Sequence, residues 1–168
     1  IWITGSSLES VTWVAQHQYT YACFLTPYEW TESLVNAYRR VCQEHGYPEP
    51  TPDKFAYLAL VYVGETDAQA QEDGKGLLWY LQRRRHKWLN LPPGYVPPDQ
   101  MAKAYRGVGG KPYAESWEGL QAKGIVIAGN PDTVIERVRY LHERCHIGHL
   151  LMMMQAGPMP TDKVRRSL

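Results

Sequence analysis

A serine-rich loop near the start of the sequence carries the residues best suited to bind a ligand. Gly5 lets the backbone come close to a ligand, and Ser6, Ser7 and Ser10 place hydroxyls around the start of a predicted helix. Free N–H groups and the helix dipole favour an anion there, so the pattern indicates a phosphate site. A second interpretation stays open, in which Ser6 only caps its own helix and Glu9 completes a capping box.

A second candidate is the stretch His142-Glu143-Arg144-Cys145-His146, which matches the H-E-x-x-H pattern of zinc hydrolases. On a helix, this spacing puts two imidazoles on one face with a glutamate beside them as general base. The predicted helix ends at Gly148, however, and no third ligand follows on a matching helix. The C-terminal end of this helix also lies at the amino-end face of the strands. In a barrel, residues on that face contribute to stability rather than to catalysis. We therefore expect no metal, and we expect His146 to meet the terminal carbonyls of the helix.

Two weaker candidates follow other predicted strands. Tyr28 comes shortly after the strand at 19–25, and Gln155 comes directly after the strand at 149–154. Both are predicted to contribute to a substrate pocket, and no residue is assigned as a catalytic base. The basic run at 83–87 could hold an anion, although such runs are more often solvated helix faces.

The elements that position these residues alternate between strands and helices. Strands are predicted at 1–4, 19–25, 55–63 and 149–154, and each is followed by a helix. Thr26 is predicted to cap the second helix, with Pro27 at its first position. This alternation indicates a parallel sheet with right-handed crossovers. An open doubly wound sheet and part of a (β/α)8 barrel both fit, and in each the sites lie beyond the carboxyl ends of the strands.

Residues from about 74 to 128 break the alternation. They hold the basic run, the proline-rich segment at 92–98 and several glycines. Such a length far exceeds the usual connection of about 2 to 6 residues. We interpret this stretch as a lid-like insertion within a single partial domain that spans residues 1–168.

Composition limits the classes of function. The chain has 168 residues, 44% of them hydrophobic, with a formal net charge of +1. This balance is enough for one core and gives no electrostatic case for nucleic acid or a membrane surface. No apolar run approaches the roughly 20 residues that span a bilayer. Three widely spaced cysteines without a C-x-x-C pair favour reduced thiols and a cytoplasmic location.

Several segments taken together resemble the bacterial-luciferase-like flavin monooxygenase family, whose fold is a (β/α)8 barrel. The segments are IWITGSSLESVTWVAQHQY, FAYLALVYVGETDAQAQED, GNPDTVIERVRYLHERCHIGHLLMMM and the PPGY of the predicted insertion. Their order and spacing are similar to strands five to eight of that barrel. The resemblance thus implies an α/β chain with about the last four βα units, the C-terminal half of the barrel.

The resemblance implies a flavin-dependent oxidoreductase that uses reduced FMN and oxygen on a small organic substrate, with a flavin reductase as partner. Deazaflavin is the alternative cofactor. The loop that holds the flavin phosphate in the family corresponds to Gly5, Ser6, Ser7 and Ser10. The first four strands of the family barrel have no counterpart here, so the missing half or a second copy is expected to complete the barrel. The isolated chain is expected to be inactive, and the rival interpretations are a non-catalytic half-barrel scaffold and a zinc hydrolase.

Overall fold

The computed structural model describes residues 1–83 and 116–168. Within these residues lies a parallel sheet of five strands: β1 (Trp2–Thr4), β2 (Thr20–Phe24), β3 (Phe55–Val63), β4 (Val126–Gly129) and β5 (His149–Met153). The helices of the same residues are α1 (Leu8–Gln16), α2 (Tyr28–Glu44), α3 (Asp67–Gly74), α4 (Leu78–Arg83), α5 (Trp117–Ala122), α6 (Pro131–Cys145) and α7 (Thr161–Ser167). Two 3₁₀ turns, Pro52–Lys54 and Lys75–Leu77, precede β3 and α4. The predicted α/β class with parallel strands is confirmed.

The central strand is β3, which pairs with three others. Its first half pairs with β2 and its second half with β4, while β5 pairs with residues 56–60. Leu60 N–H donates to Ile125 O and Leu58 O accepts from Leu25 N–H, so β2 and β4 share one edge of β3 in succession. The nine apolar residues of β3 are therefore buried on both faces, as their lack of alternation predicts.

The sheet is strongly curved. Trp2 of β1 and His149 of β5 project from the same face, and their ring centroids are 5.0 Å apart. In a flat sheet, three strand spacings of about 4.8 Å would separate these two strands by about 14 Å. The face that carries Trp2 and His149 is thus the concave one, as in the wall of a barrel.

The convex face packs against helices. Tyr21, Phe55 and Tyr57 are fully buried there, against side chains of α1, α2 and α6 that include Val14, Leu34 and Leu141. On the concave side, a second cluster covers only the carboxyl half of β3, where Tyr62 packs with residues of α3, α5 and α7. The remaining concave face is more open, since Trp2 is 47% and Leu151 is 37% exposed.

The strand β4 was not predicted. Its residues, Val126–Gly129, lie where the sequence indicated the end of the insertion, and they are buried between β3 and the helices. Four residues are too few to show a periodicity, so only pairing with β3 identifies them as a strand. The basic run from 84 onward, the proline-rich segment and the glycines at 107–110 lie outside the described residues.

The helix caps predicted at Ser6 and Thr26 were placed one residue too early. Ser7, not Ser6, caps α1, and its capping-box partner is Ser10 rather than Glu9. At α2, Pro27 holds the cap position without a side-chain bond. Thr26 lies before it with its hydroxyl 2.7 Å from that of Thr31.

Candidate functional site

The loop after β1 is anchored to the sheet at Gly5. Its N–H donates to Ala22 O at 3.1 Å, which continues the pairing of β1 with β2. The side chain of Ser10 occupies the space where a β-carbon on Gly5 would lie. Gly5 is therefore required for the close approach of α1 to the strand end, and its predicted approach to a ligand stays a prediction.

The hydroxyls of Ser7 and Ser10 form hydrogen bonds between these two residues. Ser7 Oγ accepts from Ser10 N–H at 3.2 Å, and Ser10 Oγ accepts from Ser7 N–H at 3.3 Å. The proton of Ser10 Oγ is donated to Ser7 O at 2.8 Å, and that of Ser7 Oγ points to Ser10 Oγ at 3.2 Å. Both hydroxyls are thus committed to the start of α1, and a ligand would have to compete with these bonds.

Ser6 differs from the other two serines. Its half-buried side chain makes no hydrogen bond to the residues that the structure describes, while its carbonyl accepts from Trp30 Nε1 at 2.9 Å. Trp30 lies in the first turn of α2 and is 38% exposed. At helical spacing Trp30 shares the apolar stripe of α2 with Leu34 and Tyr38, and only the indole N–H distinguishes it there from an ordinary packing residue.

The groups at this loop fit a phosphate monoester in part. The Ser6 hydroxyl is available, and the N–H groups of Leu8 and Glu9 have no acceptor within the first turn of α1. The helix dipole adds partial positive charge at the same point. The Glu9 carboxylate in that first turn acts against an anion. The groups of the loop that suit a phosphate are its hydroxyl and backbone donors, and phosphate binding here stays a prediction.

The turn between β2 and α2 is fixed by hydrogen bonds to residues of β3. Leu25 has a φ of 51°, in the left-handed region, and its N–H donates to Leu58 O. The Tyr57 hydroxyl donates to Thr26 O at 2.7 Å. These contacts fix the chain at the carboxyl end of β2, beside the serine loop, with a non-glycine residue in a conformation that costs free energy.

Tyr28, a predicted pocket residue, is 2% exposed. Its ring lies against Gly124 and meets the ring of Tyr140 edge-on with centroids 5.2 Å apart. Its hydroxyl is buried and makes no hydrogen bond within residues 1–83 and 116–168, and burial raises its pKa to about 12. All the contacts described for Tyr28 are therefore with the protein, and its role in substrate binding stays a prediction.

Gln155, the other predicted pocket residue, is exposed and lies two residues beyond the end of β5. The chain then turns at Gly157, whose φ is +56° and whose backbone lies against the ring of Trp79. Because the strands are parallel, Gln155 and the serine loop lie at the same end of the sheet. No contact described joins them, so the shared pocket also stays a prediction.

A polar cluster that the sequence did not indicate lies at the carboxyl end of β3. Lys163 Nζ of α7 is 2.6 Å from Asp73 Oδ1 of α3, and the Tyr62 hydroxyl lies 3.4 Å from Asp73 Oδ2. The bond from Lys163 holds the pKa of Asp73 below its usual value and raises that of Lys163. The cluster ties α7 across the strand end, and the Ser167 hydroxyl extends it by accepting from Val63 N–H at 2.8 Å. Sequence spacing could not reveal it, because its members come from separate elements.

The H-E-x-x-H stretch lies at the opposite end of the sheet. The helix α6 ends at Cys145, three residues earlier than predicted, and His146 follows in the left-handed conformation with φ 53°. His142, not His146, meets a carbonyl, with its Nδ1 2.8 Å from Ile147 O. Among the described residues, no group of three His, Cys, Asp or Glu is placed to hold a metal ion.

The sequence profile of the luciferase-like monooxygenases matches residues 1–145. The chain belongs to this family. No curated protein sequence matches it significantly.

Solved structures with the family fold agree with the architecture. A monooxygenase from Streptomyces bottropensis superposes with a TM-score of 0.67 at 15% identity, over 99% of this chain and 44% of that one. The oxygenating constituent of 3,6-diketocamphane monooxygenase from Pseudomonas putida, solved with FMN, has a TM-score of 0.60 at 18% identity, over 91% and 41%. The coenzyme F420-dependent tetrahydromethanopterin reductase of Methanopyrus kandleri has a TM-score of 0.61 at 16% identity, over 98% and 47%.

These likenesses show the fold alone, and the chain spans less than half the length of each of the three structures. The prediction of a partial barrel of the luciferase-like type is confirmed. Within the described residues, no helix is both long and apolar enough to cross a membrane.

Proposed function

We propose that this chain provides the phosphate-binding side of a flavin site in a luciferase-like monooxygenase. The observation that carries the proposal is the Ser6 hydroxyl, which makes no hydrogen bond to the described residues and lies at the amino end of α1, beyond the carboxyl end of β1. This is the end of a parallel α/β sheet where ligands bind. Membership of the family supplies the reason to expect a flavin there.

FMN is the cofactor that we propose, with oxygen and a small organic molecule as the other reactants. The bound flavin would supply the redox chemistry. The Ser6 hydroxyl and the N–H groups of Leu8 and Glu9 would donate to its phosphate, and Ser7 and Ser10 would keep α1 aimed at it. Gln155 and Tyr28 are the proposed substrate-side residues, and no catalytic base is assigned.

A deazaflavin is the alternative cofactor. One of the structures that share the fold is an F420-dependent reductase, and another was solved with FMN. Comparing the affinities of this chain for FMN and F420 would separate the two, since each cofactor can be titrated by its own fluorescence.

The proposed partners are a flavin reductase and a further part of the barrel. In the described residues β1 pairs only with β2, and β5 pairs only with β3, so each has one unpaired edge. The concave face also leaves Trp2 and Leu151 partly exposed. Additional strands, from another segment or a second copy, would cover both features. We propose a cytoplasmic location, in keeping with the three free cysteines, and no turnover by these 168 residues alone.

Flavin titration tests the proposal. We expect FMN fluorescence to be quenched by the chain, and Ser6→Ala to weaken FMN binding about tenfold or more, the effect of one hydrogen bond to a charged oxygen. The matched control is Ser33→Ala, because Ser33 is an exposed serine of α2 whose hydroxyl donates to Glu29 O of the same helix. A chain that leaves FMN fluorescence unchanged at every concentration would favour the scaffold alternative.

A further inference from the structure

The peptide unit between Ser6 and Ser7 is held at both ends. Its carbonyl accepts from Trp30 Nε1 at 2.9 Å, and its N–H donates to Ser10 Oγ at 3.3 Å. The two partners lie on different helices, Trp30 on α2 and Ser10 on α1. A peptide unit is planar, so fixing both its oxygen and its hydrogen fixes the orientation of the whole plane.

The orientation of this plane decides what the loop presents to an anion. The indole N–H of Trp30 donates to the Ser6 oxygen, which is the negative end of the carbonyl dipole. Without that donor, only the bond from Ser7 N–H to Ser10 Oγ would hold the plane, and the Ser6 oxygen could turn toward the space in front of α1, where it would repel a phosphate. The same plane also fixes the direction of the Ser6 backbone. That backbone carries the Ser6 hydroxyl, which has no hydrogen-bond partner in the described part of the chain.

The environment of Trp30 argues against a role in packing alone. Its side chain is 38% exposed, whereas Leu34 and Tyr38, further along the same stripe of α2, are 0% and 1% exposed. A partly exposed indole adds less by burial than a buried one. Its described polar contact is the bond to Ser6 O.

We propose that Trp30 is a positioning residue for the cofactor phosphate. By holding the Ser6–Ser7 peptide plane, its indole N–H presents the Ser6 hydroxyl and the start of α1 to the phosphate. Trp30 itself touches neither flavin ring nor substrate in this arrangement. The inference rests on the proposed function, since it assigns a role within the same phosphate site.

The test compares two flavins that differ only in the phosphate. FMN and riboflavin are each titrated against the 168-residue chain and its Trp30→Phe variant, with flavin fluorescence as the readout. Phenylalanine keeps an aromatic ring and removes the N–H donor together with the second ring of the indole, a loss of volume that Trp13→Phe reproduces. Trp30→Leu is a second variant, and circular dichroism with thermal melting confirms that each variant is folded. The matched control is Trp13→Phe, since Trp13 is an indole of α1 that is 48% exposed and stacks on His17.

We expect Trp30→Phe to weaken FMN binding about three- to tenfold, the effect of one neutral hydrogen bond, and to leave riboflavin binding unchanged. Trp13→Phe should change neither affinity. Equal loss for FMN and riboflavin, or unchanged FMN binding in both folded Trp30 variants, would overturn the positioning role while leaving the proposed function standing. Failure of the wild-type chain to bind FMN would overturn both, which distinguishes the two failures.

Discussion

Ser7 and Ser10 cap α1 by exchanging hydrogen bonds, each hydroxyl accepting from the backbone N–H of the other residue. We expect Ser7→Ala to lower the free energy of unfolding by about 1 kcal/mol, the usual cost of losing an N-terminal cap. Ser6→Ala should change it by less than about 0.5 kcal/mol, since the Ser6 hydroxyl has no protein partner among the described residues. Urea denaturation of the two variants measures both values, and equal losses would contradict the assignment of the cap to Ser7.

Gly124 is expected to tolerate no side chain. Its φ is +77°, and a β-carbon there would run into the ring of Tyr28. We expect Gly124→Ala to destabilise the fold by about 3 kcal/mol, from backbone strain and overpacking together. Gly46→Ala is the control, because Gly46 has a φ of +69° with no atom within 4 Å of an added β-carbon. It should cost only about 1 kcal/mol, the strain of the left-handed conformation, and a similar loss at both sites would rule out the contact with Tyr28.

The pair of Asp73 and Lys163 should make stability depend on pH. The pKa of Asp73 is lowered in the folded state, so its contribution is present above the unfolded value of about 3.9 and is lost as pH falls through the folded pKa. The pKa of Lys163 is raised, so its contribution is present below the unfolded value of about 10.4 and is lost as pH rises through the folded pKa.

Asp73→Asn should therefore lower the melting temperature at neutral pH and reduce its fall between about pH 5 and the folded pKa of Asp73. Asp162→Asn is the control, because Asp162 is an exposed residue of α7 that pairs with Arg166 of the same helix. Identical melting profiles for wild type and Asp73→Asn from neutral pH to pH 3 would show that the bridge contributes nothing.

Gln71 joins α3 to α5 and β4 through its amide. Its Oε1 accepts from Trp117 Nε1 at 2.5 Å and from Gln121 Nε2 at 2.8 Å. We expect Gln71→Met to cost about 1 to 3 kcal/mol, because it leaves the part-buried indole N–H without an acceptor. Gln69→Met, on the same helix, removes only an exposed bond from Glu65 N–H. Chemical denaturation should show a clearly smaller loss for this control.

The three cysteines should be unreactive in the folded protein. Cys23, Cys42 and Cys145 are buried, and burial raises the pKa of Cys23 to about 12 and that of Cys145 to about 11. Thiolate is the reactive form, so both access and ionisation oppose modification. We expect no reaction with a thiol reagent at pH 8 in buffer and three equivalents in denaturant. Rapid modification of Cys23 or Cys145 without denaturant would contradict this packing.

Local patterns in the sequence determined much of the fold. The alternation of strands and helices predicted a parallel sheet, and the unbroken apolar run of β3 predicted a strand buried on both faces. Both are properties of neighbouring residues, so they can be read without tertiary contacts. The combination of segments also predicted the family, which the profile match confirms.

Only the tertiary structure decided how the pieces meet. The strand β4 depends on pairing with β3, and the cap of α1 depends on which of the two adjacent serines, Ser6 or Ser7, takes the extended conformation. The separation of Ser6 from Ser7 and Ser10, and the bond from Trp30, depend on the packing of α2 against α1. Residue types indicated a phosphate loop, but the partner of each hydroxyl is set by contacts between elements distant in sequence, which no local pattern encodes.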